Sequence, residues 1–458
     1  MTHSVAQISL TGVLGRLSTS RSRLAVGFLT AALALSACDE TRNTYLVGPR
    51  EDLRNVLQDP DPETIVANEA RNISLGPVQS NAQWAQFWGT SGQRTAHPSL
   101  SSAPQLVWSS DIGAGNSRKQ RITADPVVAG GRVFTLDAGA TVTATSTEGQ
   151  VLWSRDLTPP GEGADQSTGG GLAFDGGRIF ATLGFGIVAA LDASDGTPVW
   201  SQDIEATGSG APTVFGDLVY FVSGDDTGWA IEKNSGRIAW QIGAGQSVTN
   251  ILGAPAPVIG NDLAIFSFGS GDVQAVFRKG GLRRWDAAVV GERRGYALSQ
   301  IGDITAPPVV DGNQVYVGNQ SGRTVALELA SGDRVWTAQH GAVGPIWPAG
   351  DSLFMVTDRN ELMRLSAADG SSVWATQLSG FVSDKPRRQS AVVAHFGPIV
   401  AGGRVVLVSS DGQMRSFDPT NGALISSVEI PGGAATAPAI VGGVLYVVNI
   451  KGQLLAYR

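Results

Sequence analysis

From about residue 104 onward the chain is a succession of short apolar runs broken by Gly, Asp, Asn and Ser. The stretch "PTVFGDLVYFVSGDDTGWAIEKNSGRIAWQI", residues 212–242, shows one full unit. Its runs "PTVF", "LVYFVS", "GWAIEK" and "RIAWQI" read as strands, and "GD", "GDDT" and "NSG" between them read as hairpin turns. Equivalent first strands recur as "DPVVAGGRVF", "PPVVDGNQVY", "GPIVAGGRVVLV" and "APAIVGGVLYVV". No stretch here holds the apolar period of a helix of normal length. Before residue 104 the pattern is polar and irregular. The exceptions are a short helical signal at "PREDLRNVL" and the aromatic cluster "WAQFW", Trp84 to Trp88, expected to pack on the domain that follows.

The units align on a turn Gly followed four residues later by Trp. The pairs are Gly149/Trp153, Gly196/Trp200, Gly236/Trp240, Gly281/Trp285, Gly332/Trp336 and Gly370/Trp374. Gly422/Ser426 keeps the frame without the Trp, and Trp108 keeps it without the Gly. The eight positions lie 38 to 52 residues apart. Four short strands at a period near 45 predict propeller blades. The last unit supplies three strands and the Trp108 run supplies a lone fourth. Together they predict an all-β, eight-bladed propeller, each blade a four-stranded antiparallel sheet, closed between its terminal strands. Closure leaves no long open sheet edge to invite aggregation.

One Trp at a fixed place in seven units is what packing between twisted sheets requires. A catalytic role would single out one copy. Trp108, Trp153, Trp200, Trp240, Trp285, Trp336 and Trp374 are therefore read as structural, each ring filling an inter-blade gap and its N–H reaching a carbonyl. The segments that differ between units are the connectors after each Trp, which share one face. The longest follow Trp285 and Trp374. Long loops on one face of a rigid scaffold are where binding is expected. The first holds Arg293 and Arg294; the second holds Lys385, Arg387 and Arg388. These read either as solvated charge or as contacts to an acidic or polar partner.

The N-terminus changes the picture. Arg16, Arg21 and Arg23 precede a 14-residue apolar run, Leu24 to Ala37, too short to span a bilayer comfortably. It ends in "LSAC", and Cys38 is the one cysteine of 458 residues. This resembles a bacterial lipobox, so Cys38 is the expected lipidation site and membrane attachment runs through that anchor. The alternative is an ordinary signal peptide or anchor with a chance Cys. Asp39 after the Cys resembles an inner-membrane retention signal of enteric bacteria, which leaves inner against outer membrane open. The expected organisation is a signal peptide over 1–37, a lipidated Cys and polar tether over 38–103, and the propeller over 104–458.

Composition narrows the chemistry. Net charge is −7 and only 16% of residues are charged. No cluster of Lys and Arg interleaves with aromatics, so nucleic acid is not an expected partner. Four histidines, two of them outside the propeller, argue against a zinc site. There is no G-x-S-x-G, Walker or G-x-G-x-x-G motif. "SGDDTG" and "DASDG" have the acids of a calcium loop, but they sit in hairpin turns that favour Asp and Gly for backbone reasons. No metal, cofactor or catalytic residue is assigned.

The Gly-x-x-x-Trp repeat resembles that of the quinoprotein-type (PQQ-like) propellers. Quinone-dependent alcohol dehydrogenases share it, but they carry a vicinal disulfide that one Cys cannot form. Lipobox, tether and an eight-bladed ring together resemble the BamB family, lipoprotein subunits of the outer-membrane β-barrel assembly (BAM) complex. The resemblance implies a non-enzymatic scaffold on the periplasmic side of the outer membrane. It would bind the barrel-forming subunit BamA, associate with other BAM subunits and assist unfolded outer-membrane protein clients. It also implies contact residues. One family loop aligns with "SVTNILGAPAP", giving Asn250, Ile251 and Leu252, without the family's Arg. Another aligns with "SQIGDITAPP", which keeps Asp303 but has Thr305 at the second acid. Arg293 and Arg294 lie on the approach to Asp303. The alternatives are a quinone-dependent dehydrogenase-like enzyme, or an envelope module of other specificity.

Overall fold

The computed structural model describes residues 68–91, 96–166, 168–206, 210–245, 254–291, 303–383, 385, 387, 389 and 391–458. They form eight four-stranded antiparallel sheets, and one 3-10 turn, Ala164–Gln166, is the one helical element among them. Blade 1 shows the common order: Val127–Ala129 innermost, then Arg132–Leu136, Thr141–Ser146 and Val151–Asp156 outermost. Blades 2 to 7 repeat it. Blade 8 joins Ala439–Val441, Val444–Val448 and Gln453–Tyr457 to the N-terminal strand Leu106–Asp111, which pairs antiparallel with Gln453–Tyr457. The expected closure and blade count are both present.

Burial follows the strand's place in the blade. Second strands such as Ser352–Val356 are buried at every position, because both faces meet neighbouring blades. Outermost strands such as Val151–Asp156 alternate exposed and part-buried, one face only being covered.

The repeat Trp works between blades. The Trp153 indole donates to Ala193 O of blade 2 at 3.2 Å, and Trp200 to Lys233 O of blade 3 at 2.9 Å. Trp240, Trp285, Trp336 and Trp374 continue the chain of bonds to blades 4 to 7, and Trp108 of blade 8 donates to Thr147 O of blade 1 at 3.0 Å. Each ring also lies on the turn Gly of the next blade. A Cβ on Gly196 would sit 2.6 Å from the Trp153 ring, and that Gly has φ +73°. The turn therefore excludes a side chain for two separate reasons. Ser426 is explained by the same geometry. In its neighbour, blade 8, the two outer strands Gln453–Tyr457 and Leu106–Asp111 come from opposite parts of the chain and no third turn joins them, so no turn Gly is there to receive an indole. Instead the Tyr457 hydroxyl reaches back to Glu429 O of blade 7 at 2.8 Å.

Residues 68–91 and 96–103, placed in the tether by the sequence reading, lie against the blades. Their path runs along the end of the ring that carries the first and third hairpin turns. Glu69 N donates to Val373 O, and Asn68 exchanges two side-chain bonds with Ala375 on the outermost strand of blade 6. That strand is accordingly more buried than its counterparts. The fully buried Arg364 guanidinium donates to Arg71 O at 2.5 Å, Asn72 O at 3.3 Å and Pro419 O at 3.1 Å. Arg404 of blade 7 does the same for Ser101 O and Ser102 O.

Between these clamps the segment crosses the ring's axis. Asn81 Nδ2 donates to Ile440 O of blade 8. Trp84 exchanges two backbone bonds with Val128 of blade 1, at 2.7 and 2.9 Å. Ala85 O accepts from Phe174 N of blade 2, Gln86 exchanges two bonds with Val214 of blade 3, and Ser91 O accepts from Ile259 N of blade 4. Trp84 stacks on Trp347 of blade 6 at 6.5 Å, and Trp88 meets the same ring edge-on at 4.9 Å. The "WAQFW" cluster thus plugs the hairpin end of the channel.

Candidate functional site

The other end carries the second hairpin turns and the blade-to-blade connectors. Cys38, Asn250, Ile251, Leu252, Arg293 and Arg294 lie outside the described residues, as do the loop residues 292–302. Lys385 and Arg387 are described and exposed.

The base of the 292–302 loop is described, and the turn of blade 5 around residues 319–321 grips both its ends. Asn319 Nδ2 donates to Val289 O at 3.0 Å and Ser321 Oγ to Gly291 O at 2.7 Å. On the far side Gln320 N donates to Asp303 O at 3.0 Å, and Gln320 Nε2 to Thr305 Oγ1 at 2.9 Å. Ile304, between them, is buried in the blade 4–5 core with Val289 and Val310. Asp303 is itself 2% exposed. Its carboxylate sits inside the protein, so any effect on a partner passes through the loop it terminates. Asn319, Gln320 and Ser321 were not singled out from sequence. Their one signal is the polar second turn "GNQSG", a feature that other blades share.

Within the ring the connector end opens into a cavity of about 490 Å³. Its walls are the segments leading into the first strands of all eight blades, and Gln86 and Phe87 of the plug also line it. The lining is mainly Ala, Gly, Pro and Val. Two titratable groups face it among the described residues. His395 has both ring nitrogens engaged, Nδ1 with Ser409 Oγ at 2.8 Å and Nε2 with Ser379 O at 2.9 Å, and burial pulls its pKa down. Asp125 accepts from Ala437 N at 2.8 Å, which ties blade 1 to blade 8. Burial pushes its carboxyl up to about 7, the one backbone bond opposing. Asp125 keeps some surface area although protein atoms crowd it on all sides; the two observations agree if that surface faces the cavity.

The acids weighed as calcium ligands serve their own turns or, for Asp226, accept from Gly269 N of the next blade at 2.9 Å. Asp192 Oδ1 accepts from Ser194 N at 2.8 Å and Ser194 Oγ at 2.6 Å, and the hydroxyl holds its pKa below the usual carboxylate range. Asp225 accepts from Ser223 Oγ and Thr227 N. Among the described residues no three His, Cys, Asp or Glu side chains converge as a metal site. A quinone cofactor bearing carboxylates does not fit the cavity either. The described lining holds no Arg or Lys, and its charged group is an acid.

A family model described as "Outer membrane protein assembly factor BamB" matches residues 138–376 and 377–458. The BamB of Shewanella oneidensis is 22% identical over 360 residues, covering 77% of this chain and 88% of that one. The Yersinia pestis BamB is 22% identical over 361 residues, 78% and 89% of the two chains. Among solved structures, BamB from Moraxella catarrhalis superposes with a TM-score of 0.62 at 16% identity, covering 78% of this chain and 98% of that one. The quinohemoprotein alcohol dehydrogenase of Comamonas testosteroni has the same TM-score at 13% identity, covering 88% and 83%. At such identities the superpositions speak for the fold alone, whereas the family model spans most of the propeller. The chain belongs to the BamB family of outer membrane protein assembly factors.

Proposed function

We propose that this protein is a non-enzymatic scaffold subunit of the outer-membrane β-barrel assembly machinery. It is held at the periplasmic face of the outer membrane through a lipid on Cys38. The observation that carries this reading is the family match over most of the ring. The connector between blades 4 and 5 supports a partner-binding role. It is long, carries Arg293 and Arg294, and has both ends clamped by one turn. A clamped base lowers the ordering cost of the loop when a partner binds. In this proposal BamA meets that loop and the neighbouring Asn250–Leu252 connector, with Asp303 as the residue that sets the loop's exit. Unfolded barrel proteins dock in extended form at outer blade edges. Blade 6 supports that mode, since the main chain of its outermost strand already bonds Glu69 N and the Asn68 side-chain amide.

The test is affinity purification through a C-terminal tag from an envelope extract. The expected result is recovery of BamA, reduced at least tenfold by Arg293→Glu with Arg294→Glu and reduced less by Asp303→Asn. Wild-type protein that recovers no barrel-assembly subunit overturns the proposal. So does purified protein that binds a quinone and reduces a dye with an alcohol.

A further inference from the structure

Aligning the first strands by their pairing places Asp125 in register with Gly171, Ala211, Ala256, Pro307, Pro345 and Gly397, and with Ala437 of blade 8. Seven blades thus bring a small or ring-closed apolar residue to the same height on the channel wall, and blade 1 brings a carboxylate. The departure costs stability. A buried carboxylate without a counter-charge is unfavourable unless something compensates it. The bond from Ala437 N satisfies one oxygen. The described lining supplies no Arg or Lys, and His395, the other titratable group there, has both nitrogens committed elsewhere. Elsewhere in the same lining Ile122, Leu172, Val343, Val393 and Phe87 present apolar surface. A cavity of about 490 Å³ whose described lining is mostly apolar, with neutral amides and hydroxyls such as Gln86, Thr123, Thr305 and Asn360 and one acid, suits a cation on a hydrocarbon stem and disfavours anions.

We propose that the central cavity binds a primary ammonium group carried on an aliphatic stem, with Asp125 as its counter-ion. Two sources share that chemistry: a free alkylamine, and a lysine side chain on an extended polypeptide that enters from the connector end. The site does not depend on the assembly role, and its failure would leave that role untouched.

The experiment titrates the purified protein at pH 8 with hexylamine, hexanol and hexanoate by calorimetry. Hexylamine is expected to bind at least tenfold more tightly than either isostere. Asp125→Asn keeps an oxygen for Ala437 N, so it isolates the charge from the blade 8–1 tie. It should melt as a folded protein and lose the amine preference. A second arm compares acetyl-Ala-Lys-Ala-amide with its norleucine counterpart. Preference for the lysine peptide assigns the site to polypeptide; preference for hexylamine alone assigns it to a small amine. Equal binding of hexylamine and hexanol by wild type, which needs no variant, overturns the proposal. A preference that survives in folded Asp125→Asn also overturns it.

Discussion

At the hairpin end of the axis, residues 81–91 bond to the first strands of five blades and set two indoles against Trp347. At the connector end the same eight first strands begin around a cavity, and one acid there has no counter-ion among the described residues. Every blade has the same strand order, so the repeat architecture did not create this difference. A non-repeating segment created it, by filling one end. Closing one end with a plug rather than with longer loops leaves the connectors free to vary. The hairpin end is therefore where substitutions should cost stability, and the connector end is where they should change binding.

The largest effect is expected from Trp84→Ala. Trp84 is 2% exposed, stacks on Trp347 and belongs to the main core cluster. Truncating such a residue costs about 3–5 kcal/mol. Denaturant unfolding should show that loss, while the folded fraction keeps its connector-end binding. A loss below about 1 kcal/mol would make the plug an accessory and erase the contrast between the ends.

A second break targets the blade joints at the same end. Gly196 and Gly176 both have positive φ, +73° and +57°, but a Cβ on Gly196 meets Trp153 at 2.6 Å and one on Gly176 meets nothing within 4 Å. Replacing Gly176 by Ala should cost about 1 kcal/mol, the conformational term alone. Replacing Gly196 by Ala adds overpacking and should cost about 3 kcal/mol. Equal losses in paired melts would show that the indole contact does not constrain the turn.

Much of this was legible in the chain. A repeat of Gly-x-x-x-Trp fixes blade, strand order and closure, because each unit must bury its faces against the next. The loss of Trp at Ser426 was visible as a gap; its cause, the missing turn in blade 8, needed the ring. Arg364 left a faint trace as a charge inside the apolar run "ELMRLS", but two of its partners are carbonyls almost 300 residues away, which no local pattern encodes. Asp303 emerged from loop length and resemblance. Its burial did not, since strand-entry residues pack according to neighbours on the next blade. Asp125 gives no local signal, since an Asp before Pro looks like ordinary turn chemistry. It stands out when the seven equivalent positions are lined up in space.

The smallest of the three effects lies at the connector end and carries a sign. The Asp125 carboxyl is raised to about 7 by burial, whereas in the unfolded chain it titrates near 3.8. Between those values the folded state holds a proton that the unfolded state has lost. Stability contributed by the protonated acid is therefore complete below about pH 4, falls as pH rises, and is gone above about pH 7. The full displacement corresponds to roughly 4 kcal/mol at about 1.4 kcal/mol per unit. The carboxylate keeps some surface toward the cavity, which screens it, so a decline of about 2 kcal/mol is expected. Asp125→Asn should flatten that part of the profile and be the more stable protein at pH 8. Hexylamine should do likewise for wild type, by supplying the missing charge. Unfolding free energies measured across pH 4–8 decide the matter: a wild-type profile parallel to that of Asp125→Asn would mean that solvent reaches this acid freely. The connector end would then hold no strain for a ligand to relieve.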